Sequence, residues 1–467
     1  MTSAIIEELI RQARVAQTVA ATYTQEQIDT LCYAIGWSMY KDENITRLAE
    51  LAVEETGMGI VGDKIKKHRS KVMGVMNDIR GARTVGLIEV DEARNIRKYG
   101  KPVGVVAALC PVTNPTATPA SNALSILKGG NAVIFSPHPR AKNATGLAVQ
   151  FMRDALEAVG APADLIQVIA EPSTDLTGEL MAAVDLVMAT GGAGMVKAAY
   201  SSGTPAYGVG PGNSCQIIAE DADIEDVADK LIMSKTFDNA TSCSSENSII
   251  VHESVFEELM SALKERGSVM LDEDERSALE QVLWVANKKG KMALNGRLIC
   301  KSAEEIAAAA ALDVPQDTVM IMVEGKGDIE TDRFSGEKIS PVLTVYKYSG
   351  FDEGLEILTR LTDHTGTGHS SGIHTFNEDY IDKLARHMRS SRILIRQPQA
   401  QGNGGSFFNG MPSTTSLGCG TWGGNITTEN IHYKHFINVT WLSLPIDRAY
   451  PTKDEMWGEF LQEHGDL

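Results

Sequence analysis

The residue best suited to covalent chemistry is Cys243, whose neighbours in the run 241–245 are one threonine and three serines. The run lies between a helix expected over residues 227–235 and a strand expected over residues 248–251. A loop at such a junction leaves a thiol open to a reactant, and a thiolate is a strong nucleophile. The alternative is an ordinary small buried cysteine, the usual state of a free thiol. A nucleophilic role for Cys243 therefore needs partners from elsewhere in the chain.

Asn114 and the pair Gly191 and Gly192 also stand where expected strands end. Asn114 follows the apolar run 103–109, so its amide could project into a site, although Asn before Pro is also an ordinary turn former. The glycines lead from a strand into a helix whose N-terminus could accept a pyrophosphate. A glycine-rich turn is a weak signal when it stands alone.

A third strand end carries polar and cationic groups. The strand expected over residues 132–135 ends in Ser136, Pro137 and His138, and Arg140 follows closely. A strand end of this kind could receive the ribose or a phosphate of an adenosine. The sequence thus predicts a nucleotide site built from several strand ends.

These groups need a scaffold of parallel strands, and the alternation along the chain predicts one. Short apolar runs alternate with helical segments, which is typical of β-α-β units with helices on both faces of the sheet. The expected strands of the first half are residues 103–109, 132–135, 165–169, 185–188 and 216–219. The second half repeats the pattern, so we expect an α/β fold with a doubly wound first domain and a second α/β domain.

Two strand-like segments, residues 88–99 and 436–444, fit neither of the expected cores. Paired with each other, or with a second subunit, they would form a small oligomerisation flap. The basic run 64–69 is interpreted as the solvated face of a helix, with a contact to a ligand phosphate as the alternative.

Composition excludes several classes of partner. The length of 467 residues exceeds a single core and predicts two or three domains. The formal net charge of -18 argues against general binding to nucleic acid or to an anionic membrane. No apolar run approaches the roughly 18 residues of a membrane span, so we expect a cytoplasmic protein. The six cysteines show no spacing typical of a zinc site, so no metal is expected.

Taken together and in this order, these segments resemble the aldehyde dehydrogenase family, and specifically its CoA-acylating branch. The likeness covers almost the whole chain, and its most specific parts are residues 136–139, 236–239, 366–370 and 418–425. The run 199–213 is similar to acylating dehydrogenases of small anionic aldehydes, namely succinate semialdehyde and sulfoacetaldehyde. The expected domains are a cofactor-binding domain over residues 1–236 with flap strands at 86–101, a catalytic domain over 237–425, and an oligomerisation strand with a tail over 426–467.

The resemblance also implies roles for individual residues. Cys243 would attack the aldehyde and carry a thioester, while the Asn114 amide would stabilise the oxyanion. Glu337 would hold the nicotinamide ribose, although a solvated loop carboxylate is the alternative. His369 would assist deprotonation of CoA, although loop histidines often make only structural hydrogen bonds. We expect NADP or NAD as the cofactor, CoA as co-substrate, and a homodimer or homotetramer.

One absence predicts the fate of the thioester. Hydrolytic members of the family carry a water-activating glutamate where this chain has residues 209–213, which include no carboxylate. A thioester without a base for water survives until a thiol such as CoA arrives. Glu246 could replace that base, but it is better suited to bonding the backbone or solvent. The sequence therefore favours acyl-CoA formation over a hydrolytic dehydrogenase or a non-catalytic binding scaffold.

Selectivity is predicted from departures from the relatives' pattern. Arg396 stands where relatives usually have asparagine, so it could hold a sulfonate or carboxylate; a surface position or a contact to a CoA phosphate is the alternative. Thr241 and Ser244 add hydroxyl donors beside the thiol, which favours sulfoacetaldehyde. Arg140 and Lys142 follow a place where NAD-selective relatives have an acidic residue, so NADP should be accepted.

Overall fold

Apolar strands that alternate with helices build two parallel sheets and a smaller antiparallel one. The computed structural model describes residues 2–287 and 290–465. The helices are α1 (Ala4–Ala20), α2 (Gln25–Tyr40), α3 (Asp42–Thr56), α4 (Val61–Ile79), α5 (Ala117–Lys128), α6 (Lys142–Ala158), α7 (Thr174–Ala183), α8 (Ala193–Tyr200), α9 (Ile224–Thr236), α10 (Glu253–Glu265), α11 (Glu273–Leu283), α12 (Ala303–Ala309), α13 (Phe351–His364), α14 (Glu378–His387), α15 (Gln399–Gly402) and α16 (Lys453–His464). The strands are β1 (Gly86–Asp91), β2 (Ile96–Pro102), β3 (Val105–Leu109), β4 (Ala132–Ser136), β5 (Ile166–Val168), β6 (Leu186–Thr190), β7 (Ala206–Val209), β8 (Ser214–Ile218), β9 (Glu246–His252), β10 (Ser268–Met270), β11 (Trp284–Ala286), β12 (Met292–Leu294), β13 (Met320–Glu324), β14 (Val342–Tyr348), β15 (Ser371–His374), β16 (Ile393–Ile395) and β17 (Ile437–Ser443).

The first sheet has five parallel strands in the order β5-β4-β3-β6-β7. Every residue of β3 and of the following helix α5 is buried, so this βα unit forms the centre of the first core. The chain proceeds from β3 outward to β5 and then returns to the other side of β3 with β6. The order therefore reverses between β3 and β6, and ligands of doubly wound sheets bind in the crevice at such a reversal. Asn114 follows β3 and Gly191 follows β6, so the fold places both at this crevice.

The second sheet has seven parallel strands in the order β10-β13-β14-β9-β8-β15-β16. It contains β8, which the sequence analysis assigned to the first domain within residues 1–236. Helix α9 likewise packs on the second core, because Val227 and Leu231 join a cluster with Ile249. The expected boundary at residues 236 and 237 is thus corrected to the loop between β7 and β8. Strands of both sheets are buried on both faces, so their sequences do not reveal which sheet they join.

The two strand-like segments that fitted neither core pair with each other, as predicted. Strands β1, β2 and β17 form an antiparallel sheet, with Val439 opposite Gly100 and Trp441 opposite Lys98. Much of β17 is exposed, including the Trp441 side chain at 58%. Oligomerisation through this flap stays a prediction, and the last two residues of the predicted tail lie outside the described part of the chain. Within the described ranges, no helix combines the length and apolarity needed to cross a bilayer.

Helix α4 presents two different faces beside the first sheet. Lys64, His68 and Val72 recur at four-residue spacing and are buried, so they lie on its inner face. Lys67 and Lys71 have the same spacing and share a neighbouring face. The run 64–69 is therefore only in part the solvated face that the sequence analysis assigned.

Candidate active site

The loop that carries Cys243 begins with a left-handed turn. Helix α9 ends at Thr236, and Asp238, Asn239 and Ala240 then have φ values of 53°, 50° and 58°. Three consecutive non-glycine residues in this region are uncommon and persist only when surrounding contacts hold them. The contacts come from the buried carboxylate of Asp238, which accepts a hydrogen bond of 2.8 Å from the Ile60 amide. Asp238 thus fixes the turn from which the loop enters the site.

Two lysines of α4 neutralise this buried carboxylate. The ammonium of Lys67 lies 2.6 Å from the Asp238 carboxylate, and that of Lys64 lies 3.2 Å from it. Although burial opposes its ionisation, Lys67 and then Lys64 hold the pKa of Asp238 below its usual value. A buried carboxylate is tolerated only with such partners. The cluster links α4 to the loop that leads to Cys243.

Lys67 also sets the orientation of Asn114. Its ammonium donates a hydrogen bond of 3.0 Å to the Asn114 side-chain oxygen, and an ammonium has no acceptor, so the facing atom must be Oδ1. The amide nitrogen Nδ2 is therefore turned to the cysteine loop, where it donates to the Thr241 carbonyl at 3.1 Å. The structure thus brings Asn114, Thr241 and Cys243 together.

Two cavities meet at Cys243 and Asn114, which line both. The first, of about 330 Å³, is called the glycine cavity and is lined in part by His138, Thr190, Gly191, Gly192, Thr241 and Glu337. The second, of about 290 Å³, is called the lysine cavity and is lined in part by Lys66, Lys67, Lys71, Phe237, Ser244 and Phe407. Sites for small ligands have this size and this mixture of apolar wall and few polar groups. A nucleophile between two cavities can receive a different ligand from each side.

The donors of the glycine cavity fit a dinucleotide. Gly191 and Gly192 precede helix α8, so their backbone and the helix N-terminus can face a pyrophosphate. Glu337 offers a carboxyl group to a ribose, and His138 lies at the end of β4. His138, both glycines and Glu337 are therefore placed where the sequence analysis expected a cofactor.

Other predicted cofactor residues flank this cavity without lining it. The hydroxyl of Ser136 lies 2.8 Å from that of Thr177, and Pro137 is buried at the end of β4. Arg140 donates to the Thr56 carbonyl at 3.1 Å, and Lys142 binds Glu171 at 2.6 Å. Because both cations already have partners, the geometry gives only weak support to their expected role in NADP acceptance.

Burial raises the pKa of two acidic groups of the site, Cys243 and Glu337. Burial, and then the charge of Glu337, raises the pKa of the Cys243 thiol to about 12, while Arg392 opposes this. Burial also raises the pKa of Glu337 to about 8, against a hydrogen bond from the Gly212 amide. Near neutral pH the thiol and most of Glu337 are therefore protonated in this form of the protein. Positive charge that approaches the sulfur favours its thiolate.

His369 lies behind the cysteine loop and lines neither cavity, which corrects the expectation that it takes a proton from CoA. It is fully buried, and Nδ1 lies 2.8 Å from the Ser370 hydroxyl. Burial, and then Arg392, lowers its pKa to about 3, so it is a weak base. Gly212 lies between His369 and the cysteine loop. A Cβ atom added to Gly212 would lie 3.0 Å from the His369 imidazole and 2.3 Å from the Cys243 carbonyl oxygen, so only glycine fits between them. The position of His369 suits support of the loop.

Glu246 also lies outside both cavities. The buried carboxylate accepts hydrogen bonds of 2.7 Å from the Gln216 amide and 2.9 Å from the Gln399 backbone. This agrees with the backbone-bonding alternative rather than with a base for water.

Arg396 is the clearest correction among the predicted substrate residues. Its guanidinium donates to the Thr375 carbonyl at 2.6 Å and stacks 4.5 Å from the Phe376 ring centre, and it lines neither cavity. The φ value of 51° at Arg396 explains this direction, because it turns the chain sharply as β16 ends. The other two predicted residues lie at the site: Thr241 lines the glycine cavity and Ser244 the lysine cavity.

Three lysines of α4 line the candidate site, and sequence reasoning did not assign them to it. Lys66, Lys67 and Lys71 line the lysine cavity, and the described residues around it include no carboxylate. The signal was the basic run 64–69, which was interpreted as a solvated face with a contact to a ligand phosphate as the alternative, and Lys71 lies beyond that run. The four-residue spacing of Lys67 and Lys71 shows that they share a side of the helix, but not what that side faces.

Comparisons with known proteins agree with this geometry. The model of the aldehyde dehydrogenase family matches residues 1–282. The chain is 58% identical to a sulfoacetaldehyde dehydrogenase from Acholeplasma sp, over 98% of this chain and 95% of the relative. It is 53% identical to a sulfoacetaldehyde dehydrogenase (acylating) from Bilophila wadsworthia, over 98% of this chain and 99% of the relative. The crystal structure of an acetylating aldehyde dehydrogenase from Geobacillus thermoglucosidasius superposes with a TM-score of 0.91 at 36% identity, covering 96% of this chain and 98% of that one. By the family match, by its identity to these relatives and by the likeness of its fold, this chain belongs to the aldehyde dehydrogenase family.

Proposed function

We propose that the protein is a CoA-acylating dehydrogenase of sulfoacetaldehyde, which converts aldehyde, CoA and NAD(P)+ to acyl-CoA, NAD(P)H and a proton. The observation that carries this proposal is the position of Cys243 between a cavity suited to a dinucleotide and a cavity lined by three lysines. The names of the relatives at 58% and 53% identity support the same substrate, and the second name supports acylation.

In this reaction, Cys243 attacks the aldehyde carbon and forms a thiohemiacetal. The Asn114 amide, held by Lys67, donates to the oxyanion. Bound NAD(P)+ supplies the acceptor for the hydride that leaves this carbon. The product on the protein is a thioester of Cys243, which the CoA thiolate cleaves to give acyl-CoA and the Cys243 thiolate.

The fate of the thioester follows from the surroundings of the thiol. Among the described residues that line the two cavities, Glu337 is the only carboxylate. It lines the glycine cavity, where the resemblance assigns it to the nicotinamide ribose, and it is not part of the run 209–213 that carries the water-activating glutamate in hydrolytic members. This supports transfer to CoA rather than hydrolysis.

The proposal is tested by NAD(P)H formation from sulfoacetaldehyde, succinate semialdehyde and acetaldehyde, each with and without CoA. We expect steady turnover only with CoA, fastest with sulfoacetaldehyde, and at most one equivalent of NAD(P)H per site in its absence. Cys243→Ala should retain less than about a hundredth of the wild-type rate. Cys110→Ala, which changes a buried cysteine of the first core directly after β3, should stay active. Sustained acid formation without CoA would contradict acylation, and absence of NAD(P)H with all three aldehydes would favour the binding scaffold.

We also propose that the protein acts in the cytoplasm as a homodimer or homotetramer. The six cysteines are free thiols, which suits a reducing compartment. The exposed apolar side chains of the flap, among them Val439 and Trp441, suit contact with a second copy.

A further inference from the structure

We infer that Lys71 binds the anionic end of the substrate in the lysine cavity and thereby sets the preference for charged over uncharged aldehydes. The inference rests on the proposed function, because it names the residue that recognises the substrate of that reaction.

Lys71 and its neighbour Lys67 differ in how many of their N–H donors are bound to the protein. An ammonium has three N–H donors. Those of Lys67 are occupied by oxygens of Asn114, Asp238 and Thr241, at 3.0, 2.6 and 2.6 Å. Within the described part of the chain, Lys71 makes one hydrogen bond, of 2.7 Å to the Gly404 carbonyl, and no salt bridge. Two donors of Lys71 are therefore available to a ligand.

The charges around Lys71 favour an anion at this place. Lys67 lies one turn away on α4, and the described residues that line the cavity include no carboxylate. Asp78 is the acidic group whose charge acts on Lys71, and its carboxylate accepts a hydrogen bond of 2.5 Å from the Ser413 amide. Burial, and then the charge of Lys67, lowers the pKa of Lys71 to about 8, so the ammonium still predominates near pH 7, and an anion beside it would stabilise that charged form further. A sulfonate or carboxylate has the matching charge and acceptors.

The position of Lys71 also suits a short substrate. Lys71, Cys243 and Asn114 line the same cavity. A short aldehyde whose carbonyl carbon lies at the Cys243 sulfur can therefore place its anionic end at the Lys71 ammonium. Phe237 and Phe407 supply apolar walls, which reduce access of water and strengthen an ion pair.

The experiment compares Lys71→Met with Arg69→Met, which removes one positive charge from the same helix but outside the cavity. For Lys71→Met, the ratio of kcat/KM for sulfoacetaldehyde to that for acetaldehyde should fall about ten- to a hundredfold, mainly through KM. The KM values for CoA and NAD(P)+ should stay within about twofold, and Lys71→Arg should restore part of the ratio. Arg69→Met should keep the wild-type ratio.

Three outcomes would overturn the assignment of Lys71. These are an unchanged ratio in Lys71→Met, an equal loss with both aldehydes, and a rise confined to the KM for CoA, which would make Lys71 a contact for CoA. The proposed function fails separately, if the wild-type protein does not oxidise sulfoacetaldehyde in the presence of CoA.

A binding measurement gives a readout without turnover. Ethanesulfonate should protect the wild-type Cys243 thiol from alkylation by iodoacetamide, and Arg69→Met should behave alike. Protection should require at least about tenfold more ethanesulfonate in Lys71→Met. Equal protection of Lys71→Met and wild type would place the anion elsewhere.

Discussion

In the proposed reaction, Lys67 acts without contacting the substrate, because its three N–H donors are already bound to oxygens of the protein. It holds the Asn114 oxygen, and through Asp238 and Thr241 it also holds the turn before Cys243. It is a positioning residue, because its effect on the oxyanion passes through the Asn114 amide.

Replacement of Lys67 by methionine should lower kcat by about ten- to a hundredfold, somewhat less than loss of an oxyanion donor, which costs about a hundred- to a thousandfold. The amide of Asn114 would lose the contact that orients it, whereas the KM for NAD(P)+ should change little. The double variant with Asn114→Ala should lose less than the product of the two single losses, because part of the effect of Lys67 passes through the Asn114 amide and the rest through the turn before Cys243. Fully additive losses in steady-state kinetics would show that Lys67 acts independently of Asn114.

For single residues, the sequence predicted a place near the site when the residue directly follows a strand of the parallel sheet. Asn114 follows β3 and Gly191 follows β6, so the parallel sheet brings them to one edge. Arg396 also follows a strand, but its left-handed backbone turns the guanidinium to the Thr375 carbonyl. Lys71 lies on a helix, where four-residue spacing gives a face but not the neighbour of that face. Side-chain direction at such positions is decided by tertiary contacts.

Among the elements, helix α4 combines the active-site lysines with a buried histidine that affects stability. His68 lies on its inner face and is 2% exposed, and burial lowers its pKa to about 4. The folded protein therefore binds fewer protons than the unfolded chain between pH 4 and about 6.5. By linkage, the stability that comes from neutral His68 is complete above about pH 6.5 and is lost as the pH falls towards 4.

His68→Leu should reduce this loss, by up to about 1.4 kcal/mol per pH unit across the window. The measurement is chemical unfolding at several pH values between 4 and 7, with the slope of the unfolding free energy as the readout. The slope remains informative even if the substitution changes stability at every pH. Ser70→Ala on the same helix, which removes no ionisable group, should keep the wild-type slope. An unchanged slope in His68→Leu would mean that other groups dominate the acid transition.

The elements themselves were largely predictable, but their grouping was not. Alternation of apolar runs with helices predicted the parallel sheets, and the segments left over predicted the flap of β1, β2 and β17. The membership of β8 was wrong, because a strand buried on both faces has the same composition in either sheet. Its pairing with β9 and β15 depends on how a short loop crosses between the sheets, which no periodicity records.

Considered as a whole, the molecule exposes apolar groups at its C-terminal end. Val439, Trp441 and Leu442 are 40%, 58% and 40% exposed on β17. Helix α16 has no buried residue among those described, and its Trp457 is 54% exposed. Exposed apolar groups near each other are typical of a contact surface.

We therefore expect a homodimer or homotetramer in solution that depends on this surface. Trp441→Asp together with Leu442→Asp should shift the mass measured by light scattering towards the monomer of 50.4 kDa, because a desolvated carboxylate opposes association. Val15→Asp, at an apolar position 59% exposed on α1, should leave the mass unchanged. A wild-type monomer, or a double variant that keeps the wild-type mass, would contradict an oligomer built on β17.

The assignment of β8 to the second sheet has a consequence for how the proposed oxyanion site is assembled. Asn114 follows a strand of the first sheet, whereas Cys243 precedes β9 of the second, so the proposed oxyanion site has one half in each domain. The loop between β7 and β8 is one of the covalent connections across this division. A small rigid-body rotation about it would separate amide from sulfur while both domains stayed folded. The proposed oxyanion site therefore needs both domains in their docked arrangement, and a ligand that contacts both domains would stabilise that arrangement.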